Sequence, residues 1–183
     1  SVCSCQFAIH YFFKDEENLN GFFSNVSTNL KRGGIFFATF MDGNKVMKEI
    51  ENSKTNIIEG KKLITDDTYV RTWAIIKRYD ETNDNKYGKQ IGVFIENTQK
   101  VIPEFLVDLD LLIEKAAQYN LELVETNTFE KDFNDILTTI KAKNGDLSLL
   151  EKDILELDKD SVQKKFSFFN RYIIMKKINY INI

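Results

Sequence analysis

The chain has 183 residues, a length that fits a single domain on the usual range of roughly 100–200 residues. Hydrophobic residues make up 43% of it, charged residues 29%, and there is one proline, so the composition predicts a soluble globular domain rather than a disordered chain. The 25 basic and 28 acidic residues leave a net charge of -3. This balance excludes nucleic-acid binding driven by the charge of the whole chain, although a local RNA contact stays open.

The sequence predicts neither a membrane partner nor a disulfide nor a metal site. No apolar run approaches the roughly 18–20 residues that span a bilayer, and the first residues lack the pattern of a signal peptide. Cys3 and Cys5 are the two cysteines, and on an extended segment they project to the same face, which disfavours a bond between them. His10 is the single histidine, so a metal ligand set is missing. A reducing, cytosol-like compartment is therefore favoured.

The first part of the chain has the pattern of a βαβ unit. Residues 2–9 predict a buried strand, and because no turn or cap precedes it, we interpret the sequence as a fragment of a longer domain. Residues 35–40 predict a second buried strand, parallel to the first through a right-handed crossover. Between them, an amphipathic helix is predicted that ends at Gly33 and Gly34. Its apolar face consists of Leu19, Phe22, Phe23, Val26 and Leu30.

The middle of the chain predicts an antiparallel insertion. A short helix around residues 46–50 precedes a polar stretch, residues 51–68, which we expect to be a loop. Residues 69–79 and 89–96 are rich in β-branched and aromatic residues, and the polar residues 80–88 separate them. This pattern is typical of two antiparallel strands.

The last part alternates helical and extended patterns, so the chain as a whole is predicted to be α/β. Pro103 precedes a second amphipathic helix, whose apolar face carries Phe105, Leu109, Leu112, Ile113 and Ala116. The elements predicted after it are a strand at residues 121–125, a helix at 128–141, a periodic segment at 147–157 and an apolar, β-prone segment at 167–178.

No sequence motif for a nucleophile, a metal or a phosphate-binding loop is present. Several short sequence blocks are nevertheless distinctive in their residues and in their order along the chain. They are Cys3-Ser4-Cys5-Gln6-Phe7-Ala8-Ile9-His10-Tyr11, Leu30-Lys31-Arg32-Gly33-Gly34-Ile35-Phe36, Asp42-Gly43-Asn44, Tyr87-Gly88-Lys89, Pro103-Glu104-Phe105-Leu106-Val107 and Arg171-Tyr172-Ile173-Ile174-Met175. Together these blocks resemble the mRNA cap guanine-N7 methyltransferase family over nearly the whole chain.

The resemblance implies the class I (Rossmann-like) methyltransferase fold, a mostly parallel sheet with one reversed strand near its edge. S-adenosylmethionine is then expected across the carboxyl ends of the strands, as in open α/β sheets generally. Residues 2–9 would be the fourth strand, and the first half of the sheet, with its Gly-rich cofactor loop, would be absent. Residues 1–183 would thus be part of the methyltransferase domain, with an inserted cap-binding lobe at roughly residues 51–103.

The resemblance also implies two cofactor-binding residues. Gln6 matches a glutamine that contacts S-adenosylmethionine at the end of the fourth strand, and Tyr11 matches a residue that lines its methionine side. The alternatives are structural: Gln6 would satisfy loop amides, and Tyr11 would pack on Phe12 or Phe13 at the rim.

Three further residues are implied to bind the cap. His10 matches a histidine that contacts the cap, Glu104 a glutamate that recognises the guanine, and Tyr172 an aromatic residue that packs on the base. A carboxylate suits guanine because it accepts from both N1–H and the exocyclic amino group. The alternatives are a hydrogen-bonding structural histidine, an acid in the first helical turn after Pro103, and a core tyrosine.

The implied reaction is methyl transfer from S-adenosylmethionine to N7 of the cap guanine. N7 loses no proton on attack, so no general base and no catalytic residue are assigned. The expected partners are the capped 5′ end of mRNA and other capping-enzyme domains or subunits. Lysine is used far more than arginine, which suggests an AT-rich coding sequence and favours a viral origin. The location would be the host cytoplasm or virion for a viral protein, and the nucleus for a cellular one.

Two alternative functions stay open. The chain could be a non-catalytic, methyltransferase-like stimulatory subunit, but the joint presence of Gln6, His10, Tyr11 and Glu104 argues against it. It could also be a class I methyltransferase for another substrate, against which Glu104 and its neighbours argue. The isolated chain is expected to be inactive, because half of the cofactor pocket would be missing.

Overall fold

In the computed structural model, which describes residues 1–65, 67–80, 82 and 85–178, the backbone forms two four-stranded sheets. The first sheet has the order β1-β2-β8-β7 and the second the order β3-β4-β5-β6. The strands are β1 (Val2–Gln6), β2 (Ile35–Met41), β3 (Ile57–Thr65), β4 (Thr68–Lys77), β5 (Gln90–Ile95), β6 (Lys100–Phe105), β7 (Leu121–Thr128) and β8 (Asn170–Lys177). The helices are α1 (Glu16–Asn29), α2 (Gly43–Ser53), α3 (Leu109–Gln118), α4 (Phe129–Lys141), α5 (Leu149–Lys159) and α6 (Ser161–Ser167), with 3-10 helices at Ile9–Lys14 and Glu96–Thr98.

The first sheet confirms the predicted α/β topology. β1 pairs parallel with β2, whereas β8 pairs antiparallel with both β2 and β7. β1, β2 and β7 therefore run in one direction, and β8 is the single reversed strand. The carboxyl ends of the three co-directional strands, at Gln6, Met41 and Thr128, meet at one edge with Asn170 at the start of β8. We call this the carboxyl edge.

The prediction of a buried strand over residues 2–9 is only partly right. β1 ends at Gln6, and its residues alternate between exposed and half-buried, with Val2 75% exposed. The reason is that β1 pairs with β2 on one side and has no strand on its other side within the described residues. Only the face that carries Cys3 and Cys5, both free thiols, packs against the core.

The first core lies on one face of this sheet, beneath α1 and α3. Phe36, Ala38 and Phe40 project from β2 into it and are fully buried. α1 forms where predicted because its apolar residues lie on one face and the Asp15 side chain accepts a hydrogen bond from the Asn18 amide at 2.8 Å. α3 likewise contributes Leu112 and confirms the second amphipathic helix from Leu109 onward, whereas Phe105, which we placed on its apolar face, lies in β6.

The second sheet confirms the antiparallel insertion and corrects its boundaries. β4 and β5 pair as predicted, but residues 57–65 form β3 rather than a loop. β3 was missed because its second half is exposed on both faces, which removes the alternating pattern. Pro103 lies within β6, an edge strand, where a missing N–H is tolerated. Glu104 is therefore a strand residue, so the helix does not start after Pro103 and the alternative of an acid in its first turn is wrong.

The segment after β7 packs α6 across the second sheet. α4 and α5 form over the predicted segments 128–141 and 147–157. The Trp73 indole is buried against Phe166 and Phe169, and its Nε1 donates to the Val162 carbonyl at 2.8 Å. α6 is thereby fixed against the second sheet. No helix within the described residues is long and apolar enough to cross a bilayer.

Candidate functional site

A pocket of about 460 Å3 opens between the two sheets at the carboxyl edge, and we call it the inter-sheet pocket. Its volume lies within the usual range of small-molecule sites, roughly 300–1,000 Å3. Most of its wall is apolar, and a few polar side chains face it. The lining residues are Phe7, His10, Met41, Val93, Ile95, Glu104, Phe129, Leu157, Gln163, Phe166, Ser167 and Asn170.

His10, from the 3-10 helix that follows β1, and Glu104, from β6, meet in this pocket. Nδ1 of His10 lies 3.7 Å from Oε2 of Glu104, which is too long for a hydrogen bond. Their side chains are only 6% and 17% exposed. Nε2 of His10 is buried without a hydrogen-bond partner, and the Glu104 carboxylate receives no hydrogen bond within the described residues. The Glu104 carboxylate thus has unused hydrogen-bonding capacity at the pocket wall.

Burial shifts both groups towards their neutral forms. It raises the pKa of Glu104 to about 7 and lowers the pKa of His10 to about 4. At neutral pH the imidazole is therefore uncharged, and the carboxyl group is close to its midpoint. Above pH 7, Glu104 becomes an acceptor-only carboxylate in an apolar pocket, an arrangement suited to a ligand with two neighbouring N–H donors.

Phe7, which lines the pocket, has an unusual backbone conformation. Its φ of 50° is a left-handed conformation that bulky residues rarely adopt and that costs roughly 1–3 kcal/mol. The Phe7 amide donates to the Thr39 carbonyl at 2.9 Å, which holds the turn between β1 and the following 3-10 helix. The ring stays 51% exposed and meets the edge of Phe129, with the ring centroids 6.2 Å apart. An aromatic wall is thereby formed at the pocket mouth.

The two residues predicted to bind the cofactor lie beside the pocket. Gln6 ends β1 at the carboxyl edge, where its Oε1 accepts from Thr39 Oγ1 at 2.7 Å and its Nε2 donates to Ser4 Oγ at 2.8 Å. Tyr11 is 51% exposed, and its ring lies 4.2 Å from that of His10. Both side chains are accessible at the carboxyl edge, which is where α/β sheets generally bind ligands.

Tyr172 lies apart from the pocket lining. Its β8 position pairs with Thr39, which pairs in turn with Gln6, so the three residues form one row across the sheet. Its hydroxyl donates to the Glu125 carboxylate, and this hydrogen bond raises the pKa of Tyr172 to about 12. The structure therefore brings His10, Tyr11 and Glu104 together and places Gln6 and Tyr172 along the adjacent row.

Several pocket residues were not predicted from the sequence. Phe129 follows the carboxyl end of β7, and Asn170 begins β8 at the same edge of the sheet. Because α/β sheets bind ligands at the carboxyl ends of their strands, both residues could have been predicted once β7 and β8 were placed. Gln163 and Phe166 come from α6, and no local pattern marks them because only the packing of α6 brings them there. No cluster of three or more potential metal ligands occurs within the described residues.

This fold and site define a methyltransferase-type α/β domain. The CcbJ methyltransferase of Streptomyces caelestis has the same fold, with a TM-score of 0.50 and 13% identity, over 98% of this chain and 57% of that protein. The sequence matches the mRNA (guanine-N(7))-methyltransferase domain family over residues 1–165. The chain belongs to this family, as the sequence blocks had indicated.

Several relatives carry the corresponding names. The probable mRNA-capping enzyme of Acanthamoeba polyphaga mimivirus is 28% identical over 98% of this chain and 17% of its own length. The mRNA cap guanine-N(7) methyltransferase of Saccharomyces cerevisiae is 30% identical over 72% of this chain and 30% of its own length. That of Schizosaccharomyces pombe is 31% identical over 76% and 36%. The chain thus spans about a third or less of these relatives.

Proposed function

We propose that the chain is the carboxyl-terminal part of an S-adenosylmethionine-dependent enzyme that methylates N7 of the mRNA cap guanine. In this proposal β1 is the fourth strand of the class I sheet, and the Gly-rich cofactor loop lies outside the present sequence. The free side of β1 and the short span of the chain in its relatives support this arrangement. The second sheet, together with its flanks, forms the inserted cap-binding lobe.

The observation that carries the proposal is Glu104 in the inter-sheet pocket. A carboxylate that is 17% exposed and lacks hydrogen bonds from the described residues is costly unless a ligand supplies donors. Guanine supplies two, N1–H and the exocyclic amino group, spaced to match the two oxygens. His10, which is uncharged at neutral pH, lines the same pocket beside this carboxylate.

The pocket positions the base rather than activating it by proton transfer. Guanine N7 already carries a lone pair and loses no proton on attack, so the reaction needs no general base. Bringing two reactants together in line can supply roughly 7–11 kcal/mol of rate enhancement in favourable cases. Phe7 and Phe129 offer the aromatic faces nearest to the base. Tyr172, which we predicted for this role, lies one row away and has less support.

S-adenosylmethionine would supply the methyl group. Gln6 and Tyr11 would contact it, because both are accessible at the carboxyl edge next to the inter-sheet pocket. Gln6 would exchange its present hydrogen bond to Ser4 for the ligand. The partners in this proposal are the capped 5′ end of mRNA and further capping-enzyme domains, in the nucleus or, for a viral protein, in the host cytoplasm or virion.

Glu104→Gln tests the proposal in the complete enzyme that carries this chain. The substitution keeps the shape but turns one acceptor into a donor, which would face the donors of guanine. The expected loss is about 2–4 kcal/mol, or roughly 30- to 1000-fold in kcat/KM. Glu96→Gln, at an exposed residue of the second sheet's flank, is the matched control. Wild-type methylation by Glu104→Gln would show that guanine is recognised elsewhere.

A further inference from the structure

A second pocket, of about 380 Å3, lies on the opposite face of α6 from the inter-sheet pocket. It is formed by the first turns of α2, by α6 and by the start of α4. We call it the lysine pocket, and its charged lining consists of Lys45, Lys48, Glu49, Glu130, Lys164 and Lys165. Phe168 and Phe169 form its apolar floor.

A cleft between the two pockets shares lining residues with each of them. This cleft, of about 280 Å3, is lined by Phe129 and Ser167, which also line the inter-sheet pocket. It is lined as well by Lys164 and Phe168, which also line the lysine pocket. An elongated ligand seated between the sheets would reach the lysine pocket by passing over these shared residues.

The lysine pocket is positive although the chain as a whole is negative. Four lysines face two glutamates there, whereas the net charge of the chain is -3. Lys48 forms no ion pair within the described residues. Lys45 pairs with Glu130 at 2.7 Å and also donates to the Phe168 carbonyl at 2.9 Å, while Lys165 pairs with Glu49.

These ion pairs leave the lysines available. The paired side chains of Lys45 and Lys165 are 31% and 52% exposed, and exposed ion pairs contribute little to stability, so an anionic ligand can replace the carboxylates. Lys164 pairs with Asp158, which Lys141 also contacts, and it therefore adds charge without being essential to the argument.

We propose that the lysine pocket binds the phosphodiester backbone of the RNA nucleotides that follow the cap. The inference rests on the proposed function, because the cap must occupy the inter-sheet pocket for the RNA to emerge through the cleft. Single-stranded RNA combines regularly spaced phosphates with bases that stack on aromatic rings. The lysines suit the phosphates, and the ring of half-buried Phe168 at the pocket floor suits a base.

The test compares two substrates and two lysine pairs in the complete enzyme. The pocket variant is Lys48→Gln/Lys165→Gln, and the matched control is Lys31→Gln/Lys176→Gln, which removes the same charge at the other end of the first sheet. The pocket variant should raise KM for a capped RNA of about ten nucleotides by roughly tenfold. KM for a cap dinucleotide, which ends before the lysine pocket, should change less than about twofold.

A binding measurement decides the inference independently of activity. Fluorescence anisotropy with a labelled, uncapped RNA of about ten nucleotides should show a salt dependence that is shallower by about 1.4 in the pocket variant, or 0.7 for each lost phosphate contact. The charge-preserving variant Lys48→Arg/Lys165→Arg should keep the salt dependence of the wild type. Equal effects of the pocket and control variants, or no effect on RNA binding, would overturn the inference. Failure of the wild type to methylate either substrate would instead count against the proposed function.

Discussion

Nδ1 of His10 lies 3.7 Å from Oε2 of Glu104, although the two residues belong to opposite sides of the interface between the sheets. His10 lies in the first turn of the 3-10 helix that follows β1, and Glu104 lies in β6, the edge strand of the second sheet that packs against this 3-10 helix. The inter-sheet pocket therefore exists only when the inserted sheet is docked on the first sheet. Its two polar side chains report on that docking as well as on ligand binding.

The pH dependence of stability should reveal the buried carboxyl group. The pKa of Glu104 is raised to about 7 in the folded protein, so its favourable contribution is complete below its unfolded pKa and is lost as the pH rises through 7. The loss is about 3 kcal/mol. Glu104→Gln should therefore be more stable than the wild type at pH 8, as measured by urea unfolding.

His10 acts in the opposite direction. The pKa of His10 is lowered to about 4, so its contribution to stability is complete above its unfolded pKa and is lost as the pH falls through 4.

The Glu104 prediction has its own contradicting outcome. If the wild type and Glu104→Gln showed the same dependence of stability on pH between pH 4.5 and 8, the buried, ligand-accepting role of the Glu104 carboxyl group would be contradicted.

Substitution of His10 should impair cap methylation without unfolding the domain. His10→Ala removes the imidazole ring that lines the pocket and should lower kcat/KM at least about tenfold. His10→Phe keeps a ring against Tyr11 and should retain the melting temperature while activity stays low. If His10→Phe restored activity, or if His10→Ala lost its cooperative melt together with activity, His10 would be a packing residue only.

Gly60 lies where β3 packs closely against α6, so that adding one methyl group should disrupt the contact between them. A Cβ there would lie 2.2 Å from Trp73 Nε1 and 2.6 Å from Val162 Cγ1, so both would have to move. Gly60→Ala should destabilise the protein by roughly 1–3 kcal/mol in urea unfolding. Gly21→Ala is the control. A Cβ at Gly21, on the exposed face of α1, would meet no atom within 4 Å, so this substitution should stabilise the protein by about 0.5–1 kcal/mol.

The elements with one buried face could be predicted from the sequence, and the exposed ones could not. α1, β2 and the part of α3 from Leu109 onward were placed correctly because Phe23, Phe36 and Leu112 belong to regular apolar patterns that face one core. β3 lacked such a pattern because half of it is exposed on both faces. β6 was read as a helix start because a proline is favoured both there and on an edge strand.

The site divides in the same way. Residue chemistry and the family resemblance identified His10 and Glu104, but the distance between them depends on how the two sheets pack, which no local pattern encodes. Phe129 and the residues of α6 enter the pocket through the same packing. The lysine pocket could not be predicted from the sequence either. Its lysines come from α2 and α6, which are far apart along the chain because all four strands of the second sheet lie between them in the sequence.

The isolated chain should bind S-adenosylmethionine weakly or not at all. Gln6 and Tyr11 form one wall of the proposed cofactor site, and the remaining walls would come from the segment outside this sequence. Isothermal titration calorimetry on the 183-residue chain should show no micromolar binding, whereas the complete enzyme should bind. Micromolar binding by the isolated chain would overturn the proposed division of the cofactor site.

Discrimination between guanine and inosine caps tests most directly the claim that Glu104 reads the cap base. Inosine lacks only the exocyclic amino group, so one hydrogen bond to the carboxylate is lost. At pH 8, where Glu104 is ionised, the complete enzyme should prefer GpppG over IpppG by roughly 10- to 100-fold in kcat/KM, and Glu104→Gln should reduce this preference to less than about threefold. A Glu104→Gln enzyme that kept the wild-type preference would contradict the account.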